Sequence, residues 1–114
     1  MWHKEKKCLA RLYQPHLFSR TRDLCDDFAR ALLGADEAIV TRIYPSREAP
    51  IAGVSGEDVV HSTRLSGHRR VRYCDEWKAV PELLAGEISP GDLVLTLGAG
   101  DIYRLGRQLT EEAP

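Results

Sequence analysis

The sequence predicts an α/β protein, an open, mostly parallel sheet with helices on its faces. Three observations carry that prediction. Short apolar, β-branched runs alternate with stretches of helical period, in the order β-α-β-α-β-α-β-α. Proline, glycine and charged residues collect in the loops that follow the apolar runs. The most apolar run, LVLTL at 93–97, fits a strand covered on both sides.

Each element has its own reason. Residues 7–13 (KCLARLY) form a short strand-like run. Leu24, Phe28, Ala31 and Leu32 recur at helical spacing, and Gly34 follows as a terminator. Ser19 or Thr21 caps that helix, with Asp23 in its first turn complementing the dipole. Residues 37–44 (EAIVTRIY) are β-branched and read as a buried strand. The stretch 45–56 is a loop holding Pro45, Pro50, Gly53 and Gly56. Ser55 caps a helix from Gly56 to Leu65, and 70–74 (RVRYC) is a strand. Asp75 caps a helix over 76–88, where Pro81 lies in the first turn or marks a kink because it lacks an amide donor. SPGD at 89–92 is a turn, 93–98 a strand, and 101–109 a final short helix.

At 114 residues one domain, or part of one, is expected, with 43% hydrophobic and 29% charged residues, enough for a modest core. Sixteen basic residues against seventeen acidic ones give a net charge of −1, so no bulk attraction to nucleic acid or to a membrane is expected. Cys8, Cys25 and Cys74 are odd in number and irregular in spacing, which speaks against a disulfide framework or a zinc ribbon. No stretch is long and apolar enough to span a bilayer, and the first residues lack the apolar core of a secretory signal. A cytoplasmic location is expected. His61 on a helix face and His68 in a turn have no metal-ligand spacing.

Right-handed crossovers put the carboxyl ends of parallel strands on one edge, where open α/β sheets bind ligands. Three loops should meet there. In QPHLFSRTRD (14–23), Arg20 and Arg22 at a helix start are suited to an anion, with His16 as donor or acceptor. They are equally suited to surface pairing with Asp23, Asp26 and Asp27. In YPSREAP (44–50), Tyr44 offers an aromatic wall, and Arg47 and Glu48 either bind a zwitterion or pair with each other. In GAGD (98–101), Gly98 and Gly100 permit a close backbone approach, and Asp101 is a cap for the last helix. That loop is shorter than GxGxxG and is weak as a cofactor signal.

In this order and spacing, YQPHLFSRTRDLCDDFARAL, IYPSREAPIAGVSG and GDLVLTLGAGDI resemble the C-terminal, Rossmann-like domain of the Mur ligases, those that add alanine above all. The resemblance covers roughly residues 9–109. It implies a three-domain enzyme using ATP and Mg²⁺ to activate the carboxylate of UDP-N-acetylmuramate, with L-alanine as the attacking amine. It implies that this domain holds the amino acid and closes over the acyl phosphate. His16 and Arg20 then match positions expected at the alanine carboxylate or the reacting phosphate. Tyr44, Ser46 and Arg47 lie in the amino-acid-selecting loop, and Gly98, Gly100 and Asp101 in a third loop of the pocket.

The sequence also departs from the family pattern. It contains no P-loop and no D-Y-G-H-H-P segment, so 1–114 reads as a single domain lacking its first strand–helix segment, with an apolar sheet face exposed as a result. Leu17 stands where some members carry Arg, and Phe18 where others have Tyr. No ligase turnover, and no tight binding of ATP or Mg²⁺, is expected of these residues alone. The missing ATP-binding and UDP-binding domains would be their partners. A non-catalytic binding or interaction module derived from the same domain is the alternative, and a nucleotide-binding regulator a more distant one.

Overall fold

Glu37–Thr41 is buried at every position, and this explains the architecture around it. A strand with both faces covered must sit inside a sheet with helices on each side. In the computed structural model, which describes residues 9–84, 92–98 and 102, it is β2 of a four-stranded parallel sheet. The elements run β1 (Leu9–Tyr13), α1 (Phe18–Leu32), β2 (Glu37–Thr41), α2 (Gly56–Leu65), β3 (Val71–Cys74), a 3-10 turn (Trp77–Ala79), α3 (Val80–Leu84) and β4 (Leu93–Leu97). The strand order is β3-β2-β1-β4, so the chain steps outward from β1 in one direction and then returns to its other side.

Alternation along the strands divides the core in two. Ala38 and Val40 face Leu32 of α1 and Val59 and Val60 of α2, together with Val71. Leu12 and Ile39 point the other way, onto Val80 and Leu84 of α3 and onto Ile102. Burying a side chain of this size stabilises by about 1.5–3 kcal/mol relative to exposure. Both clusters run through β2, which makes it the centre of the fold.

Several expectations from the sequence shift. The buried stripe of α1 is Thr21, Ala29 and Leu32, with Cys25 and Phe28 partly covered. Leu24 lies off this stripe, 36% exposed, at a kink where its φ/ψ of −117°/18° leaves the helical region. Gly34 is not a left-handed stop; α1 ends at Leu32, and the Arg11 guanidinium donates to the Ala31 carbonyl there. This is a basic side chain serving a helix carboxyl end. The strand expected over 37–44 ends at Thr41. Asp75 does not cap the following helix; it accepts from the Tyr73 hydroxyl at 2.9 Å and pairs with Arg42 at 3.3 Å. Pro81 does lie in the first turn of α3, where no amide is needed.

The strand β4 is not covered on both sides. Leu93, Leu95 and Leu97 alternate along it at 55%, 37% and 37% exposure, an apolar stripe on an edge strand. Residues 7 and 8, residues 85–88 of the helix expected over 76–88, the expected turn at 89–91 and, apart from Ile102, the helix expected over 101–109 lie outside the described residues. Among the described residues no helix is long and apolar enough to cross a membrane.

Candidate functional site

The site is built where β1 ends. Tyr13 packs on Phe28 with ring centroids 5.3 Å apart, and burial pushes its phenol well above the usual range, so it stays neutral. The next residue, Gln14, is held on the β4 side: its amide donates to the Leu97 carbonyl at 2.8 Å. Beside it, Gly98 leaves no room for a side chain. A Cβ there would stand 2.8 Å from Ile102 Cγ2 and 3.0 Å from Gln14 Cβ. The close approach that the glycines of the last loop suggest is therefore real at Gly98, and its partners are Ile102 and Gln14 of the same chain. Gly100 and Asp101 lie outside the described residues.

On the other side the chain is knit to the loop after β2. The Tyr44 amide donates to the Pro15 carbonyl at 2.7 Å, and the Leu17 amide to the Tyr44 carbonyl at 2.9 Å. These bonds make a parallel bridge between His16 and Tyr44 beyond the regular strands, and the two rings stack at 6.0 Å with 23° between planes. Residues 45–48 then form a turn closed by the Glu48 amide on the Pro45 carbonyl at 2.8 Å. Ser46 takes φ +55° in that turn, and Leu17 takes φ +71° before α1. Left-handed backbone at two non-glycine residues is uncommon and is retained where surrounding bonds hold it.

The start of α1 differs from the sequence expectation. The N-cap residue is Leu17, whose side chain can accept nothing, and neither Ser19 nor Thr21 is the cap. Thr21 is inside the helix and donates its hydroxyl back to the Leu17 carbonyl at 2.8 Å. Asp23 is past the first turn. The acceptor comes from the loop after β2. Glu48 Oε1 accepts from the Phe18 amide and, at 3.0 Å, from the Ser19 amide, while Oε2 accepts from the Ser19 hydroxyl at 2.6 Å. The hydroxyl bond from Ser19 and then these amides hold the Glu48 carboxyl below the usual carboxylate range, against some desolvation. Glu48 therefore pairs with a helix start and not with Arg47.

The charges sort themselves accordingly. Arg22 Nε bonds the neighbouring Asp23 at 2.8 Å, and that pairing holds the Asp23 carboxyl low. Asp26 accepts from Ser62 at 2.7 Å, and Asp27 pairs with Arg30. Among the described residues, Arg20 and Arg47 have no ion-pair partner, and both are exposed. The sequence offers Arg20 and Arg22 as equals; the fold engages Arg22 and leaves Arg20 available.

A cavity of about 180 Å³ opens beside Tyr44 at the carboxyl ends of β1, β2 and β3. Arg42 lines it, bonded to Glu76 at 2.6 Å and Asp75 at 3.3 Å, so its charge is already compensated. Gln14 also lines it, 7% exposed, with Oε1 buried and unpartnered. Sequence reading passed over both residues. Arg42 carried no signal; Gln14 gave one, a polar residue closing an apolar strand. Among the described residues no group of His, Cys, Asp or Glu is arranged to hold a metal. His61 is exposed, and His68 Nε2 bonds the Ala35 carbonyl at 2.7 Å, far along the chain from the site.

Comparison with known proteins adds the relatives of this arrangement. The family model described as Mur ligase, glutamate ligase domain, matches residues 6–100. The chain is similar to the UDP-N-acetylmuramate–L-alanine ligase of Cutibacterium acnes, with 52% identity over 82% of this chain and 20% of that protein. It is 42% identical to the ligase of the same name from Desulfosudis oleivorans over 94% of this chain and 23% of the relative. The Streptomyces coelicolor ligase of that name is 46% identical over 89% of this chain and 22% of its own length. The chain thus spans about a fifth of the length of the curated relatives it matches.

Proposed function

The chain belongs to the Mur ligase family, and from that premise we propose that it is the amino-acid-holding domain of a UDP-N-acetylmuramate–L-alanine ligase, at work in the cytoplasm on a peptidoglycan precursor. One observation supports this reading above the others. Arg20, in the first turn of α1, and Arg47, in the turn after β2, are uncompensated by any described residue, and the His16–Tyr44 bridge joins the segments that carry them. A guanidinium without a carboxylate of its own is suited to a ligand carboxylate or phosphate.

In this reading, Arg20 and Arg47 hold the carboxylate of L-alanine or the oxygens of the acyl phosphate. The stacked rings of His16 and Tyr44 form a wall, Ser46 offers a hydroxyl, and Gly98 sets the floor against Gln14. Holding the carboxylate leaves the amine free to attack, which turns a bimolecular encounter into an oriented one. Fixed positive charge also stabilises the anionic acyl phosphate as it is attacked. Gly100 and Asp101 belong to the same loop as Gly98 and are proposed to line the pocket with it.

The α1 amides that would suit a phosphate already bond Glu48, and the chain matches only about a fifth of its relatives' length. ATP, Mg²⁺ and the UDP-sugar are therefore assigned to the parts of the relatives that this chain does not match, and the 114 residues by themselves should turn over no substrate. The test is chemical-shift mapping of this chain with L-alanine and, separately, with inorganic phosphate. Shifts confined to His16, Arg20, Tyr44, Arg47 and Gly98, and lost in Arg20→Ala, support the reading. Shifts elsewhere, or equal shifts in Arg20→Ala, overturn it in favour of a non-catalytic interaction module.

A further inference from the structure

We propose that Glu48 is a positioning residue of this site: bonded to the start of α1, it holds the turn that carries Ser46 and Arg47, and it leaves anion binding to the arginine side chains instead of the helix amides. The proposal rests on the reading of the site given above.

The geometry for this is on both sides of the turn. At one end Tyr44 is fixed by its two backbone bonds to Pro15 and Leu17. At the other, the Glu48 carboxylate makes three bonds to Phe18 and Ser19, and its amide closes the turn on Pro45. Ser46 and Arg47 lie between these two anchors, and among the described residues neither has a side-chain bond of its own. Ser46 at φ +55° would relax if either anchor were released. Without Glu48, then, Arg47 would sit on a free loop, and ordering a loop on binding costs affinity.

The same bonds remove a competing site. A helix start with bare amides attracts anions, and Leu17 cannot cap this one. Glu48 supplies the missing acceptor across thirty residues of sequence. A ligand carboxylate arriving at this edge meets amides already engaged and a carboxylate that repels it. It is therefore directed to Arg20 and Arg47.

The test compares the wild-type chain with Glu48→Ala, Glu48→Asp and Glu48→Gln by backbone ¹⁵N relaxation and by titration with inorganic phosphate and L-alanine. In Glu48→Ala the amides of Ser46 and Arg47 should gain fast motion, and affinity should fall by roughly tenfold, the equivalent of about 1.4 kcal/mol. Glu48→Gln keeps an acceptor and should restore both. Glu48→Asp keeps the charge but falls short by one methylene and should loosen the turn; it carries the test if Glu48→Ala does not fold. Unchanged motion of Ser46 and Arg47 in the Ala and Asp variants overturns the proposal. Phosphate shifts at Phe18 and Ser19 in Glu48→Ala are expected from the unmasked helix start; the same shifts in the wild-type chain, where Glu48 engages those amides, overturn the proposal as well. If the wild-type chain binds neither ligand, the functional reading fails, and the relaxation comparison alone decides the role of Glu48.

Discussion

The two long helices begin in opposite ways. At the start of α2 the cap is local: Ser55 Oγ accepts from the Glu57 amide at 3.1 Å, and the Asp58 carboxylate accepts from the Ser55 amide at 3.0 Å. At the start of α1 the cap is remote, a carboxylate from the loop after β2. A local cap stabilises its own helix and nothing else. A remote cap also ties two loops together, so the stability of α1 and the shape of the candidate site depend on the same three bonds.

The comparison is sharpened first at Gly56, the opening residue of α2. A Cβ there would collide with the Thr41 carbonyl oxygen and come within 3.0 Å of Tyr73 Cε1. Gly56→Ala should destabilise by about 2 kcal/mol, since overpacking against backbone forces a shift. Thermal or chemical denaturation reads this directly. Because α2 carries its own cap and Gly56 meets the cavity lining at Thr41, not at the turn 45–48, the motion of Ser46 and Arg47 should not change; if it does, the two helix starts are not independent.

Ser55→Ala is the second test. Loss of an N-cap hydroxyl costs about 1 kcal/mol. The expected result is a lower unfolding midpoint with the His16–Tyr44 region undisturbed, checked by denaturation and by the amide shifts of Leu17 and Tyr44. A change in ligand shifts at Arg20 would show that α2 shapes the site as well.

The same contrast explains what the sequence disclosed. Ser55 was legible as a cap because its partners are two and three residues away, and the helix Gly56–Leu65 follows at once. The parallel sheet was legible from alternating periods, its carboxyl edge brought the loops QPHLFSRTRD and YPSREAP to notice, and the resemblance then gave their residues roles. The cap of α1 was not legible, because Glu48 is far from Phe18 in sequence and Ser19 and Thr21 are plausible local substitutes. The choice between Arg20 and Arg22 was hidden for a related reason: Asp23 can pair with Arg20 as an i,i+3 neighbour or with the adjacent Arg22, and only the fold shows that it takes Arg22. An exposed apolar sheet face was expected from the departures from the family pattern, but that β4 would carry exposed leucines was hidden, because an apolar strand looks the same whether or not something covers it.

The third prediction uses pH. Glu48 is held below the ordinary carboxylate range, so in the folded chain it binds its proton more weakly than in the unfolded chain. Its contribution is present above the unfolded value and is lost as pH falls through the folded one. The stability difference between wild type and Glu48→Gln should therefore narrow as pH falls through the acid range. Asp23 titrates with the same sign, but it is present in both proteins and cancels. A difference that stays constant with pH would mean that the carboxylate charge is not part of the cap.

The smallest effect is expected at Ser19. Its hydroxyl bond to Glu48 Oε2 at 2.6 Å is the largest cause of the low carboxyl value, ahead of the amide bonds and Arg22. Ser19→Ala removes that bond and leaves both amides on Oε1. The Glu48 carboxyl should then titrate closer to an ordinary glutamate, followed by carboxyl ¹³C shifts against pH, while α1 stays capped and the turn at 45–48 stays ordered. A titration that does not move would assign the depression to the helix amides themselves. If the titration does move, the variant separates the two jobs of Glu48, because the amides hold the helix start and the hydroxyl tunes the charge held against it.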